Sequence, residues 1–250
     1  MIPLHFLSNF KGELAALGAA FLWAVSSVVY QLLGQRIPPL LLNLLKGLIA
    51  IAFLAITLLL TDRTLPELNP IPVGLLLLSG VIGIGLGDTA YFITLNHLGA
   101  RRTLLMETLA PPITAILALV FLRESLSASA WCGIFLILIG IVWVITEQTS
   151  TAVVNSPHPR RGIIWGLLAA LAQASGAVLS RSALIISPLT PLWSTLLRLL
   201  AGSAIVLVLL LVSDRHQNKP SQVFQRLELR RLLGAIALTA FGSTYLRSVR

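Results

Sequence analysis

Cysteine is almost missing from this chain: Cys132 stands alone, inside an apolar run. A single thiol excludes a disulfide framework and a cysteine-rich metal site, and it leaves the redox compartment open. Charge is scarce too, at 11% of 250 residues against 56% hydrophobic, and mean hydropathy is +0.91. So few charged side chains cannot cover a water-soluble domain of this size. The histidines, His5, His97, His158 and His216, are scattered, and no HExxH, CxxC or GxSxG spacing occurs. No metal site, no cofactor and no catalytic centre is therefore expected. The glycine-rich stretch from Gly80 to Gly87 lacks the Gly-Lys-Ser/Thr of a phosphate loop and reads instead as a helix-packing face, with Gly83 and Gly87 in GxxxG spacing.

What the chain does have is apolar runs of membrane-crossing length. A helix needs about 20 apolar residues to cross the hydrocarbon core, and eight runs qualify, at 14–33, 39–60, 72–95, 104–122, 128–146, 162–185, 190–212 and 232–249. The fold class read from them is all-α, a polytopic membrane helix bundle. The run starting at Leu14 is too long for a removed signal peptide, and no basic segment precedes it. Lys and Arg outnumber Asp and Glu by 18 to 9. Most of the cations lie between the runs, where they act as topology determinants against water and lipid head groups; no nucleic-acid partner is implied.

Prolines 38, 39, 70, 72, 188 and 191 fall at run boundaries, where the missing N–H costs least. Pro111 and Pro112 instead lie inside the fourth run and predict a kink or break there. Short connections, Gly34 to Pro38 and Arg123 to Leu126, force the helices they join to run antiparallel.

The chain also resembles itself. A shift of 150 residues lays Gly12, Ala16, Ala20 and Ala24 onto Gly162, Gly166, Ala170 and Ala174, one small-residue stripe in each run. A shift of 152 lays Lys46 onto Arg198 and Thr61-Asp62-Arg63 onto Ser213-Asp214-Arg215. Any two apolar helices share alanines; the Asp-Arg pair after the second run of each half points to duplication. Units with an odd number of helices enter the membrane from opposite sides, as in the inverted repeats of secondary transporters, whose substrates bind near the midplane between the halves.

Trp23 with Ser26-Ser27, Lys46 early in the second run, and the segment from Ala110-Pro111-Pro112 through Phe121-Leu122-Arg123-Glu124-Ser125-Leu126 to Gly133 and Gly140 resemble the EamA-type drug/metabolite transporters. The most specific part is the structural motif of Pro111 and Pro112, the Arg-Glu turn at Glu124, and the glycines Gly133 and Gly140. The resemblance implies ten helices in two five-helix units around a central cavity, moving a small metabolite such as an amino acid or related compound without ATP. On that pattern the first repeat covers 12–147, a linker 148–161, and the second repeat 162–250 with three helices, so about eight of ten are present. Phe241-Gly242-Ser243-Thr244-Tyr245 parallels Leu86-Gly87-Asp88-Thr89, and counterparts of the last two helices do not follow. The expectation is a truncated, frameshifted or fragmentary second unit, with a non-transporting membrane remnant or interaction protein as the competing reading.

Ionisable groups inside spans are functional by default. Asp88 leads, either as a proton-coupling group or as a partner for a substrate amine; its alternative is a wet helix end with a neighbouring hydrogen bond. Lys46 and Arg198, about two turns into their helices, read as snorkelling anchors more than as substrate ligands. Glu107 reads as a structural ion-pair partner of Lys46 or of Arg101 and Arg102, and Glu124 as a cap on the amides opening the fifth helix. Trp23, Tyr91, Asn96 and Gln173 complete the cavity candidates, with Tyr30, Gln31, Asn43 and Tyr245 as further cavity polars or aromatics, each also explicable as packing. The expected partners are a small-molecule substrate, the lipid bilayer and, on one reading of Asp88, protons. The expected location is the cell (plasma) membrane, multi-pass. Cations alternate so as to put the loops holding Arg36, Arg101 and Arg160 in the cytoplasm and the N-terminus outside, whereas the resemblance implies both termini inside.

Overall fold

Proline and apolar length set the helix starts. In the computed structural model, which describes residues 11–61, 69–123, 127–146 and 159–214, the chain forms α1 (Lys11–Gly34), α2 (Pro39–Thr61), α3 (Pro70–Ser79), a π-helical segment (Gly80–Gly87), α4 (Asp88–Glu107), α5 (Ala110–Phe121), α6 (Ala128–Thr146), α7 (Pro159–Ile185) and α8 (Pro191–Asp214). Pro39, Pro70, Pro159 and Pro191 each occupy the first helical position, where the absent N–H leaves no bond unmade. No strand occurs among the described residues. The eighth apolar run, Glu124 and Tyr245 lie outside them.

Among the described residues, five helices are long and apolar enough to cross a membrane: Leu17–Gly34, Pro39–Leu60, Pro70–Glu107, Arg160–Ile185 and Pro191–Ser213. Ala110–Phe121 and Ala128–Gly140 are shorter apolar helices. Their outer faces carry Leu59, Leu60, Phe121, Leu136 and Trp143 exposed, the surface a hydrocarbon solvent favours. The chain is an all-α membrane helix bundle.

The 38-residue stretch Pro70–Glu107 is too long for one crossing, and Gly99 divides it. Its φ of 78° and ψ of 167° belong to a region open essentially to glycine alone. The freed amide of Ala100 donates to Gln31 Oε1 of α1 at 2.8 Å. Trp23 touches both Tyr91 and Glu107, which a straight helix would hold about 24 Å apart; the chain therefore folds back at Gly99. The third and fourth apolar runs thus meet at one residue instead of a loop.

The break expected at Pro111 and Pro112 is present just before them. α4 ends at Glu107, the Leu109 amide takes a tight bond to Met106 O at 3.1 Å, and α5 opens with both prolines in its first turn. Neither proline could donate to the preceding turn, so the helix stops and restarts.

The π segment and α4 form the centre, with α1, α2, α7 and α8 packed around them. Close approach there needs glycine. A Cβ on Gly80 would collide with the carbonyl oxygen of Arg198, and one on Gly176 would lie 2.9 Å from the Cα of Gly83. The glycine-rich stretch is accordingly a packing face, wound as a π-helix. One core joins Tyr30, Leu42, Tyr91, Phe92 and Ala169 across α1, α2, α4 and α7; another joins Leu54 and Leu58 to Leu199 of α8.

The repeated small-residue stripes fare differently. In α7, Gly162 faces Leu98, Gly166 faces Met106, and Ala170 and Ala174 are fully buried. In α1, by contrast, Ala20 and Ala24 are exposed, so the expected close packing does not extend to them. Gly133 and Gly140 of α6 likewise have no atom within 4 Å of a built Cβ.

Candidate functional site

The π segment ends at Gly87, and Asp88 is the next residue. A π turn carries an extra residue relative to an α turn, which rotates the residues after it about the helix axis and commonly occurs at functional sites. The departure is pinned by Asn43 of α2, which is buried. Its Nδ2 donates to the carbonyls of Ile84 at 3.0 Å and Gly85 at 3.3 Å and to Thr89 Oγ1 at 2.9 Å. Thr89 Oγ1 in turn donates to Gly85 O at 2.6 Å. One α2 amide therefore serves backbone acceptors that the altered winding presents.

Asp88 is buried and takes one donor on each oxygen. Lys46 Nζ of α2 pairs with Oδ2, and Gln173 Nε2 of α7 donates to Oδ1 at 2.7 Å. Lys46 is buried as well, its ammonium 5.9 Å from the ring centre of Trp23 and 5.4 Å from that of Phe92. The snorkelling expected of Lys46 does not occur: its stem turns inward because a buried carboxylate and two ring faces offer the ammonium more than the interface does. Removing two charges from water costs several kcal/mol per ion, and a membrane span adds to the penalty. A pair retained there despite that cost is a candidate site.

The aromatic wall extends from it. Trp23 and Tyr91 rings lie 5.7 Å apart, Tyr91 and Phe92 pack edge-on at 5.7 Å, and Tyr30 meets Phe92 edge-on at 5.2 Å. Ser27 Oγ donates to Trp23 O at 2.7 Å and lies 2.6 Å from Tyr91 OH, so the phenol donates to the serine. Glu107 accepts the indole N–H of Trp23 at 2.9 Å. Trp23, not among the partners expected for Glu107 (Lys46, or Arg101 and Arg102), supplies this bond, and the Lys46 ammonium is taken by Asp88. The fold-back at Gly99 makes this possible by returning Glu107 to the level of Tyr91.

Of the sequence candidates, Trp23, Lys46, Asp88, Tyr91 and Gln173 come together. Asn96 does not: it is exposed and lies against Gly34 at the end of α1. Arg198 lies elsewhere in the interior, partly buried, with Nη1 3.4 Å from Ser180 Oγ and Nη2 3.6 Å from a Cβ built on Gly83. Ser180 is roughly two turns of α7 beyond Gln173, so Arg198 is an inward-turned neighbour of the site and not an interface anchor. Pro111 and Pro112 stand in the first turn of α5, with Pro112 buried.

Sequence reasoning underrated Asn43, used Ser27 only as a mark of the family resemblance, and passed over Phe92. The signal was available as spacing: Asp88, Tyr91 and Phe92 stand at i, i+3 and i+4, and Trp23 and Ser27 at i and i+4, each set on one helix face. No group of three His, Cys, Asp or Glu side chains is arranged to hold a metal among the described residues.

No curated protein matches the chain. The model of the EamA-like transporter family matches residues 10–146, which holds α1 to α6 and every site residue except Gln173. A match over more than half of the chain, on a bundle of membrane-crossing helices, places it: the chain belongs to the EamA-like transporter family, membrane transporters of the drug/metabolite type.

Proposed function

We propose that this chain is a secondary transporter that carries small metabolites, such as amino acids or related compounds, across the plasma membrane by alternating access and without ATP. The observation that carries the reading is the divided coordination of Asp88, with Lys46 on α2 holding one carboxylate oxygen and Gln173 on α7 the other. On the two-unit reading, 12–147 and 162–250 joined by 148–161, these donors come from opposite repeats. A carboxylate shared between two bodies can be made and unmade as they rock, which is what alternating access requires of a midplane site.

Asp88 is the binding and coupling centre on this reading, Lys46 its resident counter-ion, and Trp23, Tyr91 and Phe92 the apolar wall against the substrate. Protons are the proposed coupling ion. The test is flux of a panel of labelled metabolites into proteoliposomes, with and without a proton gradient, for the wild type, Asp88→Asn and Gln173→Ala. Saturable uptake that Asp88→Asn abolishes and Gln173→Ala reduces is expected. If no compound moves under either condition, the reading is wrong.

A further inference from the structure

Two carboxyl groups and one ammonium meet around a single indole. Asp88 pairs with Lys46, Lys46 stands over the face of Trp23, and Trp23 donates its ring N–H to Glu107. With one ammonium for two carboxyls, the trio holds one cation too few to pair both. In an apolar surround, where uncompensated charge is the dominant cost, that shortfall selects the ligand.

The place Lys46 fills has the chemistry of an ammonium site: a carboxylate oxygen on one side, and the ring faces of Trp23 at 5.9 Å and Phe92 at 5.4 Å. A lysine is a primary alkylammonium tethered to its own helix by four carbons. The other carboxyl held at that indole is Glu107, and the lysine stem, which carries its ammonium over the Trp23 face, is flexible.

We propose that Lys46 is a built-in competitor for the substrate, and that the substrate class is a monocationic primary amine. The incoming ammonium takes Asp88 with Gln173, and the displaced Lys46 moves over Trp23 to Glu107, so two cations face two carboxylates. Without substrate, Lys46 returns to Asp88 and leaves no bare charge on that carboxylate. This rests on the transport reading above and narrows it to amines related to amino acids, setting the zwitterionic amino acids themselves aside. A zwitterion, which brings no net charge, does not restore the balance and is disfavoured.

The test measures binding of labelled n-butylammonium to the purified chain in detergent, with melting temperature against ligand concentration as a second readout. Wild type is expected to bind saturably, and Asp88→Asn not at all. Because a tethered competitor lowers apparent affinity by the fraction of sites it occupies, Lys46→Met should bind about tenfold more tightly. If that variant is poorly stable alone, butylammonium should raise its melting temperature more than the wild type's. Glu107→Gln keeps the acceptor for Trp23 but removes the charge that receives Lys46, so it should weaken binding about tenfold in the wild type and much less in the Lys46→Met background. An equal loss in both backgrounds would make Glu107 a plain counter-charge and overturn the lysine switch. If 4-aminobutyrate competes as well as butylammonium, or if Lys46→Met binds no amine by either readout, the substrate class is wrong. Asp88-dependent flux of some other metabolite in the same preparation would then leave the transport reading standing, whereas amine binding without any flux would remove that reading and keep this one.

Discussion

Tyr91 and Glu107 lie roughly four turns of helix apart along the chain, yet both rest against the indole of Trp23, one through its ring and the other through its N–H. Gly99, midway between them, folds one arm of α4 onto the other. The candidate site is therefore a product of a hairpin inside what looks like a single long helix.

That hairpin depends on a backbone conformation that only glycine adopts freely. Gly99→Ala should cost about 1–3 kcal/mol, since its φ is 78° and its new Cβ would meet Gln31 Nε2 at 3.3 Å. Gln31→Ala, which strands the Ala100 amide, should cost about 1–3 kcal/mol by a different route. Thermal unfolding in detergent checks both, and a Gly99→Ala variant as stable as the wild type would contradict the hairpin.

Glycines in this chain are not equivalent. Gly80→Ala and Gly176→Ala press a methyl on facing backbone and should destabilise by about 1–3 kcal/mol. Gly74→Ala, Gly133→Ala and Gly140→Ala meet no atom within 4 Å and should be neutral, or stabilising by about 0.5–1 kcal/mol from helix propensity. Parallel melting curves of the five variants sort them; loss of stability at Gly133 or Gly140 would contradict the open face of α6.

The Lys46 and Asp88 side chains should behave as a coupled unit. Either Lys46→Met or Asp88→Leu leaves a buried charge unpaired and should cost about 3–5 kcal/mol, while the double variant should regain most of it. A double-mutant cycle on unfolding free energies measures the coupling. Additive single effects would mean that the two charges do not meet.

Asn43 should matter to winding more than to packing. Asn43→Ala unclamps the Ile84 and Gly85 carbonyls and should cost about 1–3 kcal/mol. Because Asp88 comes directly after that winding, the change should also lower flux or amine binding, whereas Leu42→Ala on the same helix should cost stability and leave affinity unchanged. Equal effects on affinity from both would remove the special role of Asn43.

Apolar run length was enough to find most of the described helices. α6 spans Ala128–Thr146 and α2 Pro39–Thr61, within a residue of the apolar runs at 128–146 and 39–60, because in lipid each span must satisfy its own backbone and be apolar throughout its length. Proline placed the starts, and the break before Pro111 was legible because a missing N–H acts locally. The π winding of Gly80–Gly87 was not legible: glycine spacing reports close packing and says nothing of the turn size that neighbouring helices impose.

The site divides along the same line. That Asp88 and Lys46 are costly inside the membrane, and so candidates for function, followed from residue type and position alone, since desolvation is a property of the side chain and its surroundings. Which partner each charge takes is decided by the third dimension. The interior turn of Lys46, the capture of Glu107 by Trp23 and the placing of Gln173 on Asp88 all depend on α4 doubling back at Gly99 and on α7 packing against it. Sequence determined an EamA-like bundle with ionisable groups in its spans, because hydrophobic length and proline act within a segment. Only tertiary structure decided which of those groups share a site, because contacts between residues distant in sequence depend on helix packing and on one glycine's φ.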